Sequence, residues 1–165
     1  MFEKFYPSEY VESSYVIDYE KLYADGIRGL IYDVDNTLVP HGYPADERAL
    51  ELMDRLKKIG FKITFLSNND EPRVKMFNEK IGANYIYKAG KPSIRGYVKA
   101  AMDMECKLSE VVFIGDQLFT DVWGANRAGI KSFLVVPIDK STDEIQIVIK
   151  RWFEKIIISQ YLKQK

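Results

Sequence analysis

"IYDVDNTLVPHG", residues 31–42, closes an apolar run that begins at Leu30 with two aspartates, Asp33 and Asp35, set two apart. A buried strand does not ordinarily end in paired negative charge, so this stretch asks for a partner elsewhere in the chain. Similar short apolar runs ending in polar or turn residues recur at 29–35, 61–67, 84–87, 111–116 and 131–136. Helix-like segments lie between them at 46–58, 71–81, 93–104, 118–128 and 143–162, with Asp46 and Ser93 placed as N-caps and Gly60, Gly82 and Gly129 placed as C-terminal stops. Strands alternating with helices predict an α/β fold, a doubly wound parallel sheet of about five strands joined by right-handed crossovers.

The chain has 165 residues, 47% of them apolar, which is the size and core content of one domain. Lys plus Arg and Asp plus Glu both number 24, so no strong nucleic-acid footprint exists. The balance is uneven along the chain: six acids against three bases in residues 1–29, and six bases against three acids in residues 140–165. The single cysteine, Cys106, has no internal partner, which fits a reducing compartment. No apolar stretch approaches the roughly 18 residues of a membrane span, and the N-terminal stretch lacks the basic, then apolar, pattern of a signal peptide. The expectation is a soluble, cytoplasmic protein of one domain, with an aromatic-rich N-terminal segment (1–28) and a C-terminal amphipathic helix (143–163).

In open α/β sheets, ligands bind beyond the carboxyl ends of the strands, near the point where strand order reverses. The residues to read are therefore those that follow each run: Asp33, Asp35 and Thr37; Ser67, Asn68 and Asn69; Lys91; and Asp116 and Asp121. Acids gathered this closely repel one another unless a cation sits among them. Hard carboxylate oxygens suit Mg²⁺, which also binds phosphate oxygens. The cluster thus implies magnesium and a phosphorylated ligand. One carboxylate can attack phosphorus while a second, two residues on, protonates the leaving oxygen and later activates water. Lys91, Ser67 and backbone amides would hold the oxygens of the transferring group.

"DVDNT" at 33–37, "LSNN" at 66–69, "GKP" at 90–92 and "IGDQLFTD" at 114–121 resemble, in order, the four motifs of haloacid dehalogenase (HAD) superfamily phosphatases. The aromatic start and "DNTLVP" resemble the YqeG-like type IIIA branch, whose relatives include phosphatidylglycerophosphate phosphatases. The resemblance implies a Rossmann-like, capless HAD fold with Asp33 as nucleophile and metal ligand. It implies Asp35 as general acid/base giving the metal its backbone carbonyl, and Thr37 as the residue that steadies the motif loop. Ser67 and Lys91 would bind phosphate with Asn68 nearby, Asp116 would ligate the metal directly, and Asp121 would lie in or just outside the metal shell. Gln117 stands where many relatives carry a second acid. The implied activity is hydrolysis of a phosphomonoester, with a lipid head group such as phosphatidylglycerophosphate the leading substrate and nucleotide or protein phosphate the alternatives.

The gaps between motifs, Thr37 to Ser67 and Asn69 to Lys91, are too short for an inserted lid domain, so substrate or partner must exclude water from the site. Two other classes share these residue types: a non-catalytic binding module retaining the pocket, and a receiver-like signalling domain. The receiver reading is disfavoured because its phosphoacceptor would end a later strand than the acid pair. His41 reads as a loop residue, Cys106 as a bystander, and the N-terminal Tyr and Phe residues as packing across the sheet. In the last helix, Ile145, Val148, Ile149, Trp152, Phe153, Ile156 and Ile157 fall near helical spacing. That stripe is expected to pack on the domain's own core, with an anionic membrane surface or a protein partner as the other two readings.

Overall fold

Each apolar run becomes a strand. In the computed structural model, which describes residues 1–165, the strands are β1 (Glu9–Val11), β2 (Gly29–Tyr32), β3 (Lys62–Leu66), β4 (Asn84–Ile86), β5 (Val111–Gly115) and β6 (Lys131–Val135). All pairings are parallel, in the order β1-β6-β5-β2-β3-β4. The helices are α1 (Tyr19–Ala24), α2 (Glu47–Ile59), α3 (Glu71–Asn78), α4 (Ile94–Asp103), α5 (Trp123–Ala128) and α6 (Ile145–Lys163). After β2 the chain winds outward through β3 and β4. It then returns to lay β5 on the other side of β2, so the order reverses between β2 and β5, where a binding crevice belongs.

The two central strands are buried along their whole lengths. One apolar layer, containing Leu30, Tyr32, Phe65 and Leu56, lies on the α2 side of the sheet, and a second, with Ile31, Tyr97 and Phe113, lies on the α4 side. The expected caps are present. Asp46 accepts from the Ala49 amide at 2.8 Å and Ser93 from Arg95, while Gly60 adopts φ 119°, a left-handed conformation that only glycine takes at low cost. Asp70 caps α3, accepting the Arg73 amide.

Two expectations are corrected. The sheet has six strands rather than about five, because the N-terminal segment does more than wrap across it. Glu9–Val11 pairs in register with Phe133–Val135, and Ser8 fixes that register by donating its amide to the Ser132 carbonyl at 2.8 Å and accepting the Ser132 amide on its hydroxyl at 3.1 Å. Its aromatics do pack as expected, Phe5 edge-on to Phe119 and Trp123, and Tyr6 against Tyr161.

The second correction concerns α6. Its buried residues are Arg151, Glu154, Ile157 and Tyr161, and of the seven apolar residues expected on the core only Ile157 is there. The other six point outward. No helix is long and apolar enough to cross a membrane.

Candidate active site

β2 carries the chain to Asp33, whose amide still ladders to the Ile114 carbonyl at 3.0 Å. The backbone then curls: Asn36 takes φ 62°, and the amides of Thr37 and Leu38 both return to the Val34 carbonyl. Asn tolerates the left-handed conformation better than most side chains, which is why the curl can form here. The curl brings Thr37 back beneath the acids. Its Oγ lies 3.3 Å from both Asp33 Oδ2 and Asp116 Oδ1. The N-terminal segment supports the loop from below, where Ser14 Oγ donates to the Thr37 carbonyl at 2.9 Å and the Tyr15 hydroxyl to the Leu38 carbonyl at 2.6 Å.

β5 runs one residue further in register, to Gly115, and delivers Asp116. A wide π-helical turn, Leu118–Val122, returns Asp121 over the strand end, where its Oδ2 accepts the Gln117 amide at 3.1 Å. Gly115 makes that return possible, since a Cβ there would stand 2.5 Å from Asp121 Oδ2. One carboxylate oxygen each from Asp33, Asp116 and Asp121 thus lie within 4.8 Å of one another, all three residues buried. Lys91, from the loop between β4 and α4, bridges two of them, its Nζ donating to Asp33 Oδ1 at 2.9 Å and to Asp121 Oδ1 at 2.7 Å.

Asn68 and Ser67 shape this loop cluster. Asn68 accepts the Lys91 amide at 2.7 Å and donates to the Lys91 carbonyl at 3.2 Å, so its side chain is spent on positioning Lys91. Ser67 is buried, its Oγ accepting the Asn69 amide at 3.0 Å. Asp35 stands apart from the triad. Its Oδ1 accepts from Arg73 Nη2 at 2.7 Å and from the Gly42 amide at 2.8 Å, with Asn69 Nδ2 at 3.3 Å from Oδ2 and His41 Nδ1 at 3.8 Å from Oδ1. Burial works to raise its pKa, but Arg73 and the Gly42 amide outweigh burial and hold the carboxyl below its ordinary range.

The triad is electrostatically unfinished. Burial, with Asp33 and Asp121 close by, pushes the Asp116 carboxyl well up, against the pull of Arg151. Burial likewise pushes Asp121 up to about 6, opposed by Lys91 and reinforced by Asp33. Lys91 stays charged, because Asp121 and Asp33 more than offset the cost of its burial. Three buried acids thus face two cations, and Asp116 and Asp121 resist ionising for want of further positive charge. Such a set of hard oxygens fits a divalent cation held by Asp33, Asp116 and Asp121.

The second cation is one that motif reading overlooks. Arg151 of α6 donates from Nη2 to Asp116 Oδ2 at 2.7 Å, from Nη1 to the Asp116 carbonyl at 3.0 Å, and from Nε to Asp143 at 2.8 Å. One turn on, Glu154 accepts the Leu118 amide at 2.7 Å, and burial pushes its carboxyl up to about 7 against the opposing pull of Arg151. The connector to α6 is tied down as well, the Asp139 amide donating to Asn36 Oδ1 at 3.1 Å. The available signal was the spacing of Arg151, Glu154, Ile157 and Tyr161, a helical stripe hidden among more numerous apolar residues.

A carboxylate triad at the reversal point of a parallel sheet, bridged by a lysine from a third loop, defines a hydrolase of the HAD class. The HAD-hydrolase-like family matches residues 88–145, which carry Lys91, Asp116 and Asp121. The fold agrees with that of the cobalt-bound deoxy-D-mannose-octulosonate 8-phosphate phosphatase of Haemophilus influenzae, at TM-score 0.58 and 16% identity over 79% of this chain and 77% of that one. Within the class, the chain belongs to the YqeG family of HAD phosphatases: it is 43% identical to the probable phosphatase YqeG of Bacillus subtilis over 100% of its own length and 96% of that protein's. A more distant relative is phosphatidylglycerophosphate phosphatase 1 of Arabidopsis thaliana, 25% identical over 90% of this chain but only 45% of the plant protein.

Proposed function

We propose that this protein is a Mg²⁺-dependent phosphomonoester hydrolase working through an aspartyl-phosphate at Asp33. The observation that carries the reading is the convergence of Asp33, Asp116 and Asp121 within 4.8 Å at the strand ends, with Lys91 bridging two of them. An Asp33 oxygen attacks phosphorus, the ester P–O bond breaks, and the leaving oxygen takes a proton from Asp35. A water then gives its proton back to Asp35 and attacks the same phosphorus, releasing inorganic phosphate and restoring the Asp33 carboxylate. Lys91 neutralises the phosphoryl oxygens, and Ser67 together with the loop amides orients them. Asp33, Asp116 and Asp121 would hold Mg²⁺, which would supply positive charge to offset that of the phosphoryl group.

Asp35 is poised for the second half of this cycle. Arg73 and the Gly42 amide hold it ionised, ready to accept a proton from water. To act as the acid in the first half it must exchange the Arg73 contact for the leaving oxygen. Asn68 acts one step back, by locking Lys91 in place.

For the substrate we favour a lipid-borne phosphomonoester of the phosphatidylglycerophosphate type, hydrolysed at the cytoplasmic side. The named activity of the Arabidopsis relative supports this, as does a site that no inserted lid domain covers. The test is hydrolysis of a panel of phosphoesters, including phosphatidylglycerophosphate, a nucleotide and a phosphopeptide, by wild type and Asp33→Asn with Mg²⁺. Turnover of the lipid above the others, abolished in Asp33→Asn, supports the reading. A folded wild type that hydrolyses nothing and takes up no fluoroberyllate at Asp33 refutes it.

A further inference from the structure

α6 is turned inside out relative to an ordinary surface helix. Its buried stripe carries the Arg151 and Glu154 charges that serve the site, while Ile145, Val148, Ile149, Trp152, Phe153 and Ile156 are between 41% and 76% exposed. At 100° per residue, Ile145, Ile149, Trp152 and Ile156 stack on the side opposite the buried stripe of Arg151, Glu154, Ile157 and Tyr161, with Val148 and Phe153 flanking them. Trp152 and Phe153 meet edge to face at 5.0 Å in the middle of this surface. A contiguous exposed apolar face of this kind marks an interface.

The charges on the helix say which kind. Its exposed charged side chains are Lys150, Lys155 and Lys163, all positive, because Arg151 and the acid Glu154 are both spent inward. A second copy docking face to face would bring lysines against lysines. A surface carrying negative charge over an apolar interior matches both features, as does an aromatic pair set among lysines.

We infer that the outer face of α6 lays the protein on an anionic lipid bilayer, with Trp152, Phe153 and the isoleucines in the interface and the lysines at the phosphates. The helix lies on the bilayer and does not span it. Arg151 on the inner side touches Asp116, so the carboxylate cluster sits about one helix width, roughly 10 Å, from the bilayer surface. The attachment is independent of catalysis and goes beyond the phosphatase reading.

The full chain is sedimented with vesicles of phosphatidylcholine, with and without phosphatidylglycerol. The expected result is binding to the phosphatidylglycerol vesicles that weakens as salt rises. Trp152→Glu/Phe153→Glu should lower the partition coefficient by about a hundredfold and Lys150→Glu/Lys155→Glu by about thirtyfold. All four side chains are exposed, so both variants should keep the wild-type circular dichroism and the wild-type rate on a soluble phosphoester. That rate is read separately, so a protein inactive on every phosphoester still tests attachment. Failure of the wild type to bind at low salt overturns the inference, as does equal binding by Trp152→Glu/Phe153→Glu. So does a dimer in analytical ultracentrifugation that this variant dissolves while vesicle binding is absent.

Discussion

Replacing Arg151 by Gln tests the most consequential contact in the molecule that no motif announces. The guanidinium is nine-tenths buried and pairs with Asp116 at 2.7 Å and Asp143 at 2.8 Å. Gln is too short and uncharged to replace either pair, so both carboxylates are left buried without compensation. Removing one partner of a buried pair costs about 3–5 kcal/mol. In a chain of this size each kcal/mol lowers Tm by about 2–4 °C, so the expected loss is about 10 °C. Arg95→Gln, at an exposed arginine outside any ion pair, should stay within about 0.5 kcal/mol of wild type. A double-mutant cycle then isolates the pair: Asp116→Asn alone, Arg151→Gln alone, and both together, each followed by urea unfolding in EDTA. Because Asp116→Asn removes the charge that Arg151 neutralised, the double variant should be more stable than additivity predicts by about 2 kcal/mol or more. A Tm drop below about 2 °C in Arg151→Gln, or simple additivity in the cycle, would show that α6 does not hold Asp116.

Four further outcomes follow from the site. Asp33→Asn should fold normally and lose at least about a thousandfold in turnover, measured on any substrate the wild type accepts. Without metal, stability should fall as pH rises from about 4 to about 6. The Asp121 carboxyl is raised in the folded state, so its ionisation is opposed by folding, and the cost, up to about 3 kcal/mol, is complete above its folded value near 6. Urea titrations in EDTA should show this slope, excess Mg²⁺ should reduce it at neutral pH, and Asp121→Asn should lower it by the Asp121 share, the raised Asp116 and Glu154 carboxyls supplying the rest. Gly115→Ala places a methyl 2.5 Å from Asp121 Oδ2 and should weaken Mg²⁺ binding by calorimetry at least about tenfold. Asp35→Asn should slow turnover while leaving Mg²⁺ affinity nearly intact, and a loss as large as in Asp116→Asn would contradict the separation of Asp35 from the triad.

What was legible in the chain divides by the range of the physics involved. Five of the six strands, the helix caps and the four loops that follow strand ends are set by local pattern. Sequence pattern alone therefore places Asp33, Lys91, Asp116 and Asp121 at one end of the sheet. β1 was not legible, because Glu9–Val11 forms no apolar run and its partner, Phe133–Val135, lies more than a hundred residues away. The hold of Asn68 on Lys91 was not legible for a similar reason: only the fold brings the Lys91 backbone within reach of its side-chain amide.

α6 is the instructive failure. Its residues are apolar on most sides, so counting apolar spacings returns a stripe but not the right one. The orientation is decided from the site. The Asp116 carboxylate and the Leu118 amide lie buried at the end of β5, and buried polar groups require partners. Arg151 and Glu154 are the side chains on this helix able to satisfy a carboxylate and an amide from one face, so the helix turns them inward and its larger apolar face goes to solvent. Each half of that arrangement carries a cost: desolvated charge on one side, and exposed Trp, Phe and Ile on the other. The need to complete the carboxylate site explains the inner half alone. The outer half could have been made polar without touching Asp116, so its apolar character requires a second constraint, and a surface that covers it would provide one.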